Sequence, residues 1–312
     1  MNRTDDPAPA RRPRPAGPQL TPWLFAAPGL VLLFVFLIVP FALAFVFSFT
    51  DQRLIGNDDL GTRFVGARNY LRLFDDESFW AALKNNFLFV VVVAPLQSAL
   101  ALGLALLVNQ KLVGTRFFRT VYFMPVATTM AVVAVIWSLL YSPDAGVINR
   151  LVGALSFGAI GPQDWLRDPA LVLPAVMALS IWQGVGFQML VFLAGLQSIP
   201  GDLFEAATLD GATPWKQFRY ITLPLLKNTT IFVLVTTTIY AFQLFTQVQI
   251  IAASGASAPV DSFRTMVMLM VHEGFRNGKI GYASAISVVF FVIVLAISLL
   301  QRLVLREERA VR

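Results

Sequence analysis

The sequence predicts an all-α polytopic membrane protein with six transmembrane helices. Of its 312 residues, 57% are apolar and 13% are charged, and the mean hydropathy is +0.69. This balance is typical of chains that lie mostly in lipid. Six apolar runs reach the roughly 20 residues that a spanning helix needs, and none contains Asp, Glu, Lys or Arg. The runs are Leu24–Phe49, Phe87–Val108, Val121–Tyr141, Ala170–Gly195, Thr229–Ala253 and Gly281–Leu300.

The chain divides into a membrane domain, 23–305, between two cytoplasmic tails, 1–22 and 306–312. The first tail is rich in Pro and Arg, and we expect it to be disordered. The run Leu24–Phe49 would be about 39 Å long as a helix. It is longer than the about 7–15 residues of a signal-peptide core, so we expect it to remain as an anchor.

The positions of the basic residues predict the orientation. Fourteen Lys and Arg lie near the span ends on the side that holds both termini and the segment 198–226, against ten on the other side. The larger group lies in short segments, where the positive-inside rule is strongest. Both termini and the segment 198–226 are therefore predicted to be cytoplasmic.

The segment 198–226 is predicted to form two short helices with a sharp corner. Asp202 is placed to cap the first helix, with Glu205 reaching back as in a capping box. Gly211 supplies the left-handed residue that ends this helix. Such a polar hairpin between two spans must lie at a membrane surface, where it can dock a partner or rest on lipid headgroups.

The second helix of this hairpin also carries local signals. Thr213 is placed to cap it, Pro214 occupies its permissive first position, and Pro224 marks its end.

The same segment resembles the EAA loop of binding-protein-dependent ABC importer permeases. The match covers Glu205-Ala206-Ala207, then Asp210-Gly211, then Ile221-Thr222-Leu223-Pro224. Three further stretches, Phe64–Tyr70, Asp164–Pro169 and Gly281–Ala285, are similar to signatures of the carbohydrate-uptake branch, which includes maltose and glycerol-3-phosphate permeases. The stretch 253–259 differs from the run that relatives more often show there.

The resemblance implies a function and a set of partners. This chain would pair with a second homologous permease subunit, two ABC ATPase subunits and an extracytoplasmic solute-binding protein in a bacterial or archaeal cytoplasmic membrane. ATP and Mg would bind to the partner ATPases, and the loop would be the coupling helix in an ATPase cleft. The coupling residues would be Glu205, Ala206, Ala207, Asp210, Gly211, Ile221, Leu223 and Pro224.

The sequence lacks the residues that several other functions require. The spans contain no ionisable relay of the kind that ion-driven transporters use, and Gly274–Ile280 lacks the spacing of a phosphate loop. The sequence has no cysteine and one histidine, His272, for which a solvated loop position is expected rather than a metal site. We predict no catalysis, no cofactor in this chain and no nucleic-acid partner.

The fourth and fifth runs carry uncharged polar residues that are candidates for a translocation path. They are Trp182, Gln183 and Gln188 in the fourth run, and Thr236, Tyr240, Gln243 and Gln247 in the fifth. The four in the fifth run share one face of a continuous helix, and their amides and hydroxyls suit a sugar, polyol or sugar-phosphate-like solute. The alternative is hydrogen bonding between helices, which stabilises membrane bundles.

Three other functions stay open at this point. An ABC permease for an amino acid or a peptide is the nearest alternative, followed by a stand-alone secondary transporter or channel and by a membrane scaffold. Trp80, Trp165 and Tyr282 are expected to lie in the interfacial aromatic belt, or else to contact a receptor.

Overall fold

A computed structural model describes residues 20–55, 61–110, 114–144, 146–254 and 258–305. These ranges are mostly helical and contain no strand, only one isolated bridge between Thr50 and Phe64. The all-α prediction is confirmed. Five helices are long and apolar enough to cross a membrane, and the number is six if one bent pair is a single span. Of the two predicted tails, residues 1–19 and 306–312 lie outside the described residues.

The first helical run contains a π turn next to a proline. Helices α1 (Leu20–Leu33) and α2 (Val39–Phe47) are joined by a π turn, Phe34–Ile38, in which Val39 N–H donates to the carbonyl of Phe34. Pro40 follows at once. Pro40 has no N–H to donate, and its ring crowds the carbonyl one turn back. The wider π turn accommodates both the missing hydrogen bond and the ring.

The second and sixth runs form the long helices that the sequence predicts. A short helix α3 (Arg68–Asp75) leads into α4 (Glu77–Asn109), which contains the predicted run Phe87–Val108. Asp76 caps α4, because its Oδ1 accepts from Ser78 N–H at 2.9 Å. The last helix, α15 (Ile280–Leu305), contains the predicted run Gly281–Leu300.

The third run is not one straight helix, so the prediction of a single helix over Val121–Tyr141 is wrong. Helix α5 (Thr115–Phe123) and a 3₁₀ turn are followed by α6 (Met130–Leu140), and the two parts meet at 100°. The corner consists of Thr128 and Thr129, which are both extended. A neighbouring helix approaches the segment before the corner closely, since a Cβ at Gly186 would overlap the carbonyl of Tyr122.

The core has the fourth run and α4 at its centre and extends to the helices that follow. After α7 (Val147–Leu155), helix α8 (Val172–Gln197) reproduces the predicted run Ala170–Gly195 and packs along α4. Half of its apolar stretch is buried. By contrast, none of the corresponding stretch of α1 and α2 is buried, which leaves that surface for lipid or another subunit.

The predicted fifth run is present as a candidate span, Lys227–Ala253, but the prediction that its helix is uninterrupted is wrong. The structure has α12 (Lys227–Phe242) and α13 (Thr246–Ala253), with residues 243–245 non-helical between them. Between α8 and α12 lies the hairpin, made of α9 (Gly201–Leu209), α10 (Pro214–Gln217) and α11 (Leu223–Leu225). Beyond α13, α14 (Met266–Val271) continues into a π turn, His272–Arg276.

Candidate functional site

The first arm of the hairpin begins two residues earlier than its capping signals predict. Pro200 occupies the N-cap position without a side-chain bond, and Asp202 lies inside the first turn of α9. The predicted cap at Asp202 and the capping box with Glu205 are therefore wrong. The Asp202 carboxylate still lies at the positive end of the helix dipole, where a negative charge is favourable.

The corner of the hairpin is formed as predicted. Gly211 has φ +73° and ends α9. Its N–H donates to Thr208 O at 3.0 Å, and Ala212 N–H donates to Ala207 O at 2.9 Å. This pair of bonds is a Schellman motif, in which the first donor, here Gly211, adopts the left-handed conformation.

The second arm begins as predicted but does not end at Pro224. Thr213 Oγ1 accepts from Lys216 N–H at 3.4 Å, and Pro214 is the first helical residue. Ahead of Pro224 the helix widens into a π turn, Phe218–Thr222, and continues to Leu225. As at Pro40, the wider turn makes room for a proline inside a helix.

A side-chain amide joins the two arms. Gln217 Nε2 donates to Thr208 Oγ1 at 3.0 Å and to Ala212 O at 3.4 Å. Sequence reasoning missed this contact, because it joins residues of two different helices and no single-helix spacing predicts it.

Most of the hairpin surface is exposed. Leu209 is 89% exposed, Trp215 69% and Tyr220 73%, so large apolar side chains lie uncovered beside the polar ones. Among the predicted coupling residues, Ala207, Ile221 and Leu223 are half-buried. The exposed ones are Glu205, Ala206, Asp210, Gly211 and Pro224.

A cavity of about 160 Å³ lies between α4, α8 and the broken fifth run. No charged side chain of the described residues lines it. Its polar lining consists of Gln97, Ser180, Gln183, Gln188, Thr237, Tyr240 and Gln247.

Two of its amides also hydrogen-bond across helices. Gln247 Nε2 donates to Ser180 Oγ at 3.0 Å, and Gln188 Nε2 donates to Thr237 Oγ1. The Oε1 atom of Gln188 is buried and has no partner among the described residues. These side chains therefore combine contacts between helices with a polar cavity wall.

The structure brings four of the seven predicted path residues to this cavity: Gln183, Gln188, Tyr240 and Gln247. The other three do not line it. Thr236 bonds the carbonyl of Phe232 in its own helix at 2.7 Å, and Trp182 packs against Trp137 with ring centroids 5.6 Å apart. Gln243 is exposed, because the helix ends at Phe242 and the helical spacing no longer applies.

Sequence reasoning missed Gln97, Ser180 and Thr237. The sequence could have indicated Gln97 as a path candidate, since it is the only side-chain amide in the apolar run Phe87–Val108. Gly184 makes room for it, because a Cβ at Gly184 would press on the Gln97 amide.

The helix break beside the cavity is held by a distant side chain. Asn86 of α4 is fully buried; its Nδ2 donates to Phe242 O at 3.1 Å, and its Oδ1 accepts from Met266 N–H at 2.7 Å. These are backbone groups at the end of α12 and the start of α14, where helices leave them unpaired. Asn86 thus fixes both helix ends at once.

The three aromatic residues predicted for the interface differ in exposure. Trp80 is 48% exposed. Trp165 is held by a hydrogen bond, in which its Nε1 donates to Asn149 Oδ1 at 2.7 Å. Tyr282 is 3% exposed and donates its hydroxyl to Asp76, so it is a buried residue and neither a belt nor a surface contact.

Comparisons with known proteins agree with this fold. A family model described as "Binding-protein-dependent transport system inner membrane component" matches residues 18–309. The lactose transport system permease protein LacF of Rhizobium radiobacter is 33% identical over 92% of this chain and 94% of its own length. The trehalose/maltose transport system permease protein MalF of Thermococcus litoralis is 33% identical over 92% and 94%.

A solved structure shares the fold. It is a bacterial ABC transporter involved in the import of the acidic polysaccharide alginate, with a TM-score of 0.77 and 24% identity over 93% of this chain and 97% of that one.

Proposed function

The chain belongs to the family of binding-protein-dependent transport system inner membrane components, and we propose that it is the permease subunit of an ATP-driven importer of sugar-type solutes. It would form half of the translocation path, together with a second homologous permease. The names of its relatives, permeases for lactose and for trehalose and maltose, support the solute class.

The cavity, with uncharged amides and hydroxyls set in an otherwise apolar lining, is the observation that carries this proposal. Amides and hydroxyls can exchange hydrogen bonds with a sugar or polyol, while a buried charge would carry a large desolvation penalty. Gln97, Gln183 and Tyr240 reach this cavity. None of these three side chains has a hydrogen-bond partner among the described residues.

The hairpin is proposed as the point at which a partner ATPase acts. Its shape is held by the Schellman corner and the Gln217 bridge, and its uncovered apolar residues can pack into a cleft. Glu205 would supply an acidic contact, and the small residues Ala206 and Ala207 would allow close approach. ATP and Mg would bind to two such partner subunits and not to this chain.

The proposed topology has six spans, with the bent third run counted as one. Both termini and the hairpin would face the cytoplasm of a bacterial or archaeal cell, as the distribution of basic residues favours. An extracytoplasmic solute-binding protein would deliver the solute to the opposite face. Rocking of the helices around the cavity would then alternate access, as in other transporters with a site near the midplane.

Uptake by the assembled complex in proteoliposomes tests the coupling role. Charge reversal by Glu205→Lys and filling of the corner by Gly211→Trp should abolish ATP-dependent uptake while the protein still inserts and assembles. Asp144→Lys, an exposed charge reversal outside the hairpin, is the matched control and should transport normally. Full uptake by Gly211→Trp would refute the coupling role.

The same assay separates the rival functions. Solute flux in liposomes that contain only this chain would indicate a stand-alone transporter or channel. Uptake of amino acids or peptides in place of sugars would indicate a different solute class. If cavity substitutions such as Gln183→Leu leave uptake unchanged, the cavity is not the path.

A further inference from the structure

A second pocket of about 270 Å³ lies between the end of α13 and the start of α14. Its polar side chains are Gln249, Arg264, His272 and Arg276, and the rest of its lining is apolar. Among the residues that the structure describes, none that lines this pocket is acidic, and none also lines the cavity. The two sites nevertheless share α13, because Gln247 faces the cavity and Gln249 faces this pocket.

Arg264 lies at the wall of the pocket with part of its guanidinium unpaired. Its side chain is 20% exposed, and its Nη2 lies 3.0 Å from Asp261 Oδ1. The Asp261 side chain is itself 68% exposed, so water competes for that carboxylate. The Nε atom of Arg264 is buried, and no acceptor for it exists among the described residues. A buried donor of this kind favours a ligand that can accept a hydrogen bond.

The backbone that carries Arg264 is fixed by α4. Asn85 Nδ2 donates to Asp261 O at 2.9 Å and to Arg264 O at 3.1 Å. Asn85 is 9% exposed and adjoins Asn86, which holds Met266. The guanidinium is therefore presented from a loop that is already ordered, a condition that favours binding.

Arg276 and His272, the other two basic side chains at the pocket, are open to a ligand. Arg276 is exposed, and its side chain makes no ion pair or hydrogen bond within the described part of the chain. His272 is 45% exposed, with Nδ1 3.8 Å from Glu273 Oε1. Glu273 is not part of the lining, and its two oxygens are bonded to Asn277 at 2.7 Å and Lys279 at 3.1 Å.

We propose that this pocket binds the carboxylate or phosphate group of a small organic acid of about monosaccharide size. Two guanidinium groups can bind such an anion through charge-assisted, bidentate hydrogen bonds. The Gln249 amide and the His272 ring add polar contacts, and the apolar side of the pocket, with Met268 and Leu269, accommodates the carbon skeleton. The volume lies just below the about 300–1,000 Å³ of typical small-molecule sites.

Calorimetric titration of the purified full-length chain, with the subunits that copurify with it, tests the site. The probes are D-glucuronate and glycerol 3-phosphate, with D-glucose as the neutral comparison. We expect saturable binding of at least one acid that Arg276→Gln weakens by about tenfold or more, because a charge-assisted hydrogen bond is lost. The matched control Arg63→Gln, an exposed arginine outside the pocket, should leave the dissociation constant unchanged.

Two further results would overturn the proposal. One is that neither acid shows saturable binding up to about 10 mM. A dissociation constant above this concentration corresponds to a binding free energy of less than about 3 kcal/mol in magnitude. The other is binding of an acid that Gln183→Leu abolishes and Arg276→Gln does not change, since this places the anion in the cavity. Binding needs no ATP or uptake, so its outcome is separate from that of the proposed transport function.

Discussion

Two interruptions of the apolar helices differ in how they are held in place. The hairpin between α8 and α12 is exposed, and its corner is closed by bonds between residues at most five apart, such as Ala212 to Ala207. The break between α12 and α13 is buried, and it is held by Asn86, which is 156 residues from Phe242 and 180 from Met266.

This difference separates a unit held by its own local bonds from one held by distant parts of the chain. The hairpin keeps its shape through its own bonds, so it can be displaced as a body without losing its corner. The break is bonded to α4 and, through Asn86, to α14. Any movement at the break must therefore carry α4, α12 and α14 together. A force applied at the hairpin would therefore reach the cavity through α12, whose far end is the anchored one.

The largest expected effect comes from removing the distant anchor by Asn86→Ala. The Phe242 carbonyl and the Met266 N–H would both lose a buried partner, at about 1–3 kcal/mol each. Thermal unfolding of the detergent-purified protein should shift markedly downward. Asn228→Ala, at an exposed asparagine at the start of α12, is the control and should have little effect. Equal melting of the two variants would show that the break does not depend on Asn86.

A smaller effect is expected from changing the local corner by Gly211→Ala. The left-handed conformation costs a residue with a side chain about 1–2 kcal/mol, although the space around Gly211 is open. We expect the hairpin to become more sensitive to limited proteolysis, while the melting of the whole protein changes little. Gly201→Ala, within the first arm, should leave proteolysis unchanged or reduce it, because alanine favours the helix. A large loss of global stability in Gly211→Ala would contradict the independence of the hairpin.

The smallest effect is expected from Thr213→Ala. The cap bond to Lys216 is long, at 3.4 Å, and exposed, so its loss should cost about 0.5–1 kcal/mol, the low end for capping residues. Hydrogen exchange at the Lys216 amide should become faster. Thr120→Ala is the control, since Thr120 is an exposed helical threonine that bonds only its own helix, to Arg116 O. Faster exchange throughout α4 or α8 in Thr213→Ala would show that the hairpin is coupled to the core more tightly than its contacts indicate.

The sequence predicted much of the helical content, and its failures share a cause. The runs over 87–108, 170–195 and 281–300 are helices in the structure. Hydropathy counts apolar residues and carries no information on direction, so it could not detect the 100° bend before Met130 or the break after Phe242. Both irregularities lie where another helix approaches, through Gly186 in the first case and Asn86 in the second.

The candidate cavity was predicted in part for the same reason. Gln183, Gln188, Tyr240 and Gln247 were found from their polarity inside apolar runs. The helical spacing also predicted Gln243, but the helix break moves this residue off the face that lines the cavity. Spacing within one helix could not predict Gln97, which lies on a different helix.

By itself the sequence determined the membrane class, the order of the helices, the corner of the hairpin and the family, because these follow from composition and from signals a few residues apart. Only the tertiary structure decided where two of the helices bend or break, which amides meet at the cavity, and that Arg264, His272 and Arg276 share a pocket. The physical reason is that a buried backbone group must find a hydrogen-bond partner, and at the break that partner comes from a part of the chain that no local pattern can identify.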